Sequence, residues 1–222
     1  MKKIGIILIL SMFFLTANSQ YVKRDTSLYV PKFKFSFTPQ YLLFNGLRFD
    51  VEKEVRKNSW VDFSTEIYLG RNTSTNEYET RRDGFYSELY GAGLGVNYKR
   101  FISFTDYGKG YFLFGSSYNF FYINYPDYVW QTQIVNGIQE LHYELVDINE
   151  QIHRINGSFL LGIETEMYDK IYFDMYAGVG LKYSYPIVNE TVDAYKYDDY
   201  MWSYGYSGTF AIIGIRFGFL SN

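Results

Sequence analysis

The chain has 222 residues with a net charge of -3, no Cys, and 22% aromatic residues dominated by 25 Tyr and 20 Phe. The charge is too mild and too dispersed to indicate nucleic acid as a partner, and the lack of Cys excludes both disulfide staples and an N-terminal lipidated Cys. Tyr- and Phe-rich segments of strand length, with few long apolar runs, instead suit a membrane β-barrel with interfacial aromatic belts.

Lys2 and Lys3 precede an apolar run from Ile4 to Leu15, and Ala17-Asn18-Ser19 follows with the small residues a signal peptidase reads. The run is shorter than the roughly 18 to 20 residues that cross a bilayer as a helix. Residues 1–19 are therefore expected to be a cleaved signal peptide, with Gln20 as the first mature residue. Loss of Lys2 and Lys3 removes two positive charges and takes the net charge from -3 to -5. Residues 20–31 are expected to be a periplasmic N-terminal segment and 32–222 one outer-membrane barrel domain.

The first expected strand, Lys32 to Phe44, sets Phe33, Phe35, Phe37, Tyr41 and Leu43 on one face and ends in an Asn45-Gly46 hairpin turn. Pro39 lacks a ladder donor, which predicts a bulge or break there. Leu47 to Val55 alternates Leu47, Phe49 and Val51 with Arg48, Asp50, Glu52 and Glu54. After a turn near Lys57-Asn58, Trp60 to Leu69 sets Val61, Phe63, Ile67 and Leu69 against Asp62, Ser64 and Glu66. Gly70 to Gly84 is polar and reads as a solvent loop. Phe85 to Lys99 follows, with Tyr90, Ala92, Leu94, Val96 and Tyr98 opposite Gly91, Gly93, Gly95 and Asn97. That glycine row makes room inside a narrow barrel or permits strong coiling; with no helix pattern or Lys-Ser/Thr pair after it, it is not a phosphate loop.

Gly110 to Ile123 groups Phe112, Phe114, Tyr118, Phe120 and Tyr122, and residues 124–151 then form the longest expected connection. Ile152 to Met167 sets Ile155, Phe159, Leu161, Ile163 and Met167 against Arg154, Asn156, Ser158, Glu164 and Glu166. A tight turn at Asp169-Lys170 leads into Ile171 to Tyr183, whose odd positions form one unbroken apolar face, the two-residue period of a pleated strand. A loop over 186–204 precedes Gly205 to Phe219, which presents Ala211, Ile213, Ile215, Phe217 and Phe219 opposite Gly208, Gly214, Arg216 and Gly218. The fold class expected is all-β, an eight-stranded antiparallel up-and-down transmembrane β-barrel.

Alternation alone does not say which face points outward, since a soluble lipocalin-like barrel would bury the apolar one. The links 70–84, 124–151 and 186–204 are long and alternate with shorter ones near 57–59, 100–109 and 169–170, the asymmetry of outer-membrane barrels; the short Asn45-Gly46 turn is a mild exception. The last strand carries Gly214, Phe217 and Phe219, a Gly-x-x-aromatic-x-aromatic pattern. In that pattern, and in the run of strands from Lys32 to Phe219, the chain resembles the small outer-membrane β-barrel superfamily of the OmpA transmembrane domain and OmpX. The resemblance implies an outer-membrane location, lipid contact, and an assembly signal at Gly214, Phe217 and Phe219 read by the barrel-assembly machinery. Leu220-Ser221-Asn222 extend past the closing aromatic.

An eight-stranded barrel is just wide enough for side chains to fill it. Its expected interior charges are Arg48, Asp50, Glu52, Asp62, Glu66, Glu164, Glu166, Asp174, Lys182 and Arg216, either a paired network or the lining of a narrow path. Acids exceed bases in that set, which leaves room for a water-filled section near Glu164 and Glu166. Only His142 and His153 are available for rim catalysis of lipid, and Ser158 has the opposite parity to His153, so no Ser-His-acid set forms. Asp193, Asp198 and Asp199 lack the spacing of a calcium loop, and no metal or cofactor is expected. The outer connections carry candidate binding aromatics, Tyr125, Tyr128 and Trp130 in one and Tyr195, Tyr197, Tyr200, Trp202 and Tyr204 in another, which serve equally as interfacial girdle. The expected function is a non-enzymatic envelope protein that binds a surface ligand or envelope partner through these loops, with a narrow porin-like channel as the second reading and a rim-sited lipid-modifying enzyme as the third.

Overall fold

Alternating side chains, turn-forming Asn and Gly, and one proline set the strand ends. The computed structural model describes residues 33–71, 86–105, 108–168, 170–189, 197 and 200–221. The expected export signal and N-terminal segment, and most of the expected loop at 70–84, lie outside them. Eight strands close an antiparallel barrel in sequence order: β1 Phe33–Phe37, β2 Gly46–Arg56, β3 Ser59–Arg71, β4 Glu88–Thr105, β5 Gly108–Val135, β6 Ile138–Tyr168, β7 Ile171–Val188 and β8 Gly208–Ser221.

Outward positions are mostly apolar, whereas inward ones mix charged, polar and small residues with two apolar clusters. Phe35, Phe63, Leu94, Phe114, Phe159, Leu161, Val179 and Ile213 are exposed on the outer wall, while Lys34, Asp50, Glu52, Asp62, Lys99, Glu164, Asp174 and Arg216 are buried within. Small inward residues make room for the large ones. A Cβ built on Gly178 would lie 2.8 Å from the Leu160 Cα, a backbone atom that cannot yield. Gly178→Leu is therefore expected to cost about 1–3 kcal/mol by overpacking, read as a lower urea midpoint for the folded barrel.

Several expectations about strand ends need correction. The first strand does not run to Phe44: β1 stops at Phe37, and Pro39–Phe44 forms a 3₁₀ segment that starts with the proline and ends at Asn45, whose φ is 54°. Proline cannot donate to the ladder but has the φ a helical turn wants, and Asn tolerates the left-handed cap. This segment folds against the barrel, with Gln40 Nε2 donating to the Tyr176 hydroxyl at 2.7 Å and Tyr41 donating to Glu66 at 3.1 Å.

Residues 124–151 are not a loop. β5 and β6 stay paired from Lys109↔Glu164 to Val135↔Ile138 and turn at Asn136-Gly137, with φ of 54° and 83°. Left-handed φ at both central residues is the signature of a type I′ hairpin. The link 100–109 is likewise shorter than expected, since β4 continues to Thr105 and β5 begins at Gly108, while the link 186–204 is displaced along the chain, since β7 continues to Val188 and β8 begins at Gly208.

β4 last pairs at Glu88↔Asn124 and β7 at Glu150↔Val188, so no other described strand pairs with the β5–β6 hairpin beyond those points. Its arms, 125–135 and 138–148, are 11 residues each and project about 36 Å at ~3.3 Å per residue.

Candidate functional site

The interior divides along the barrel axis into an ionic layer near the end with the β2–β3 and β6–β7 turns, a cavity in the middle, and an aromatic closure at the hairpin end. In the ionic layer, Lys99 Nζ lies 2.7 Å from Glu164, 3.2 Å from Glu52 and 3.4 Å from Asp174. Arg216 reaches Glu52 at 3.2 Å and Asp62 at 3.3 Å, and Lys34 reaches Glu164 at 2.6 Å. Lys34 also lies over the Trp60 ring and Lys99 over the Tyr111 ring, each with its ammonium 4.3 Å from the ring centroid. Glu52, Glu164 and Asp174 approach each other closely enough to ligate a cation. The Lys99 ammonium already sits among them, so the charge a metal would supply is present.

Around this layer pack Trp60, Phe101, Tyr111, Leu113, Leu160 and Tyr176. At the hairpin end Tyr68, Leu89, Phe121, Ile123, Tyr125, Ile148, Ile152 and Tyr197 form a second cluster, joined by Tyr204. Burial raises the Tyr125 and Tyr197 phenols well above the usual range, aided by the Glu150 carboxylate in both cases, and takes Tyr204 up to about 12. All three stay protonated at neutral pH.

Between the layers lies a cavity of about 390 Å³, lined among others by Ser64, Asn97, Ser117, Arg154, Asn156 and Lys182. Glu66 also reaches it but is occupied: Asn119 donates to it at 2.6 Å, Tyr68 at 2.8 Å and Tyr41 at 3.1 Å. Arg48 pairs with Asp50 at 2.7 Å and lies 3.4 Å from Glu66.

With the geometry described, likeness to known proteins can be stated. No protein-family model matches the chain, and no curated protein matches it. The chain is similar to the crystal structure of Acinetobacter baumannii CarO, at 11% identity and a TM-score of 0.42, over 86% of this chain and 98% of that one.

Nine of the ten residues expected to face inward line or border these layers; Glu166 is at the rim instead, about one-third exposed, and pairs with Lys109. The expected excess of acid over base is narrowed by Lys34 and Lys99, both inside. Lys99 continues the inward parity of Gly91, Gly93, Gly95 and Asn97, so two more residues of alternation point to it. A water-filled section near Glu164 and Glu166 is also corrected, because Lys34 and Lys99 occupy the space beside Glu164.

The candidate binding aromatics separate into two groups. Tyr125 and Tyr197 are buried in the closure with their rings 5.4 Å apart and cannot meet a surface ligand. Tyr128 and Trp130 stand on the projecting hairpin, where both pack against Tyr143, at 5.2 and 5.0 Å. Tyr200 and Trp202 are exposed, with Trp202 stacked on Phe44 at 6.1 Å. Tyr195, Asp193, Asp198 and Asp199 lie outside the described residues.

His153 faces outward, its Nδ1 2.7 Å from the Tyr118 hydroxyl, while His142 pairs with Glu140 on the hairpin. In the last strand Gly214 and Arg216 point inward, Phe217 packs on Phe173 at 5.1 Å, and Phe219 is exposed.

Proposed function

We propose that this protein is a non-enzymatic, non-conducting barrel of an outer membrane that binds a surface or envelope partner through its projecting hairpin. The observation that carries the binding role is the hairpin's two-faced character. Tyr128, Trp130, Ile134, Leu141, Tyr143 and Leu145 share the outward face with Thr132 and Gln139, while Gln131, Gln133, Glu140, His142 and Glu144 share the other with Ile138 and with Val129 and Val146, which pack against the aromatic closure. Trp130 is 61% exposed and Ile134 74%, and a contiguous apolar face left open to solvent marks an interaction site. Rigid aromatics there supply contact area at low entropic cost.

Membrane insertion is supported by the apolar outer wall around an ionic interior, the inverse of a soluble fold. Against conduction along the barrel axis stand two closures in series, the ionic layer and the aromatic cluster, one on each side of the cavity. A planar bilayer holding the purified barrel is expected to show no discrete openings; regular single-channel steps would favour a porin-like role instead.

The hairpin reading is tested by placing a photo-crosslinking residue at Thr132, on the apolar face, and irradiating intact cells. A discrete adduct that disappears when Tyr128, Trp130 and Tyr143 are all changed to Ser is expected. A barrel present in the membrane that yields no adduct, or the same adduct in the triple variant, refutes the role.

A further inference from the structure

The barrel wall is incomplete on one side. β8 pairs with β1 only from Phe217↔Phe37 to Ser221↔Phe33, whereas it pairs with β7 from Lys182↔Gly208 onward. Residues 208–216 of β8 therefore have no strand partner on the β1 side among the described residues. The 3₁₀ segment stands there instead and supplies one long contact, from the Ile215 N–H to Gln40 Oε1 at 3.4 Å. A lipid-facing strand edge without partners is not tolerated at membrane depth unless it borders protein or a cavity.

The central cavity reaches this opening. Its lining includes Ala211 and Ile213, which face out of the barrel, together with Phe44 and Trp202 at the rim and inward-facing Phe210 and Ile212. At 390 Å³ it falls within the about 300–1,000 Å³ typical of small-molecule sites.

Its inner wall carries two cations without an anionic partner. Neither Arg154 nor Lys182 has a carboxylate within 4.0 Å among the described residues, in contrast to the three cations of the ionic layer and Arg48. Arg154 is 8% exposed and its Nε has no hydrogen-bond partner, its one bond being from Nη1 to the Tyr204 carbonyl at 3.4 Å. Lys182 donates to the Met201 carbonyl at 3.1 Å and lies 4.4 Å from the Phe210 ring centroid. Ser64 Oγ and Asn156 Oδ1, also on the wall, lack partners too. Buried polar groups are normally satisfied, and a buried guanidinium nitrogen left without an acceptor is costly.

We infer that this cavity binds a single-chain anionic amphiphile, a long-chain carboxylate whose head meets Arg154 and Lys182 and whose tail leaves through the gap between β8 and the 3₁₀ segment. The inference rests on the membrane-barrel reading, since the tail's path opens onto the lipid-facing wall. The polar end and the apolar exit each fit one part of such a molecule, and a small free anion would leave the exit unfilled.

Calorimetric titration of the purified, folded protein in a nonionic detergent tests it. Oleate is expected to bind saturably with one molecule per barrel, oleyl alcohol at least tenfold more weakly, and acetate not measurably. Arg154→Gln and Lys182→Gln are each expected to weaken oleate at least tenfold, and Ala211→Trp, which narrows the exit without touching either charge, to do the same. Equal binding of oleate and oleyl alcohol by the unaltered protein overturns the site without recourse to any variant, as does acetate binding as tightly as oleate. Heat-dependent gel mobility of the same preparation judges the barrel reading separately, so a barrel that shifts on boiling yet ignores oleate defeats only this inference.

Discussion

Lys99→Met is expected to lower the stability of the folded barrel by about 3–5 kcal/mol, the size of the effect when one partner is removed from a buried ion network. Lys99 is wholly buried and holds three carboxylates, Glu52, Glu164 and Asp174, each at 3.4 Å or less. Methionine fills most of the same volume, so the cost comes from charge and not from a void. Lys34 and Arg216 remain to meet Glu164, Glu52 and Asp62, and neither reaches Asp174 as closely as Lys99 does; Arg216 Nε is 3.7 Å from it. Urea titration of the barrel in lipid vesicles reads the change. The double variant Lys99→Met/Asp174→Asn removes the carboxylate left farthest from a cation and is expected to recover part of the loss. A single variant as stable as the unaltered protein would mean that water reaches the layer and solvates the carboxylates, and the two closures in series would then be one.

Alternation made most of the wall legible before any coordinates. From Ile171 to Tyr183 the period of two is unbroken, and β7 has that parity, with Tyr172 and Asp174 inside and Val179 and Leu181 outside. Where the sequence misleads, a local physical reason exists. Pro39 predicts a break, but that the chain then turns inward depends on Gln40 and Tyr41 finding Tyr176 and Glu66 across the barrel. Asn136-Gly137 is a strong hairpin signal, yet a two-stranded ribbon without neighbours is marginal in water, and the polar residues of its second face resemble a loop.

The inner aromatic layer was hidden for a different reason. β5 is apolar on both faces, with Phe112 and Phe114 outside and Tyr111, Leu113, Phe121 and Ile123 inside, so parity could not assign either one to the interior. The cavity is less legible still. It arises because Ser64, Asn97, Ser117 and Asn156 come from four different strands and are all too small to fill the middle, a property of the closed ring and not of any segment.

Val179→Arg is expected to destabilise the protein in a bilayer by about 2–4 kcal/mol, the cost of a basic side chain on the lipid face near the midplane of a transmembrane barrel. Val179 is 63% exposed on the outer wall, in register with Phe159 on β6 and Ala211 on β8. If water bathed that wall, the same change at so open a position would fall within about 0.5 kcal/mol of neutral, as surface substitutions usually do. Thr132→Arg provides the internal comparison, because it adds the same charge to the projecting hairpin, beyond the wall that the proposed membrane reading places in lipid. Urea titrations in vesicles are expected to move the midpoint for Val179→Arg and leave that for Thr132→Arg in place. Two unmoved midpoints would place the apolar wall in water and require a second protein to cover it. A large shift at Val179 alone would make the membrane the solvent that this sequence pattern answers, with its ionic residues turned inward because the outside offers them nothing.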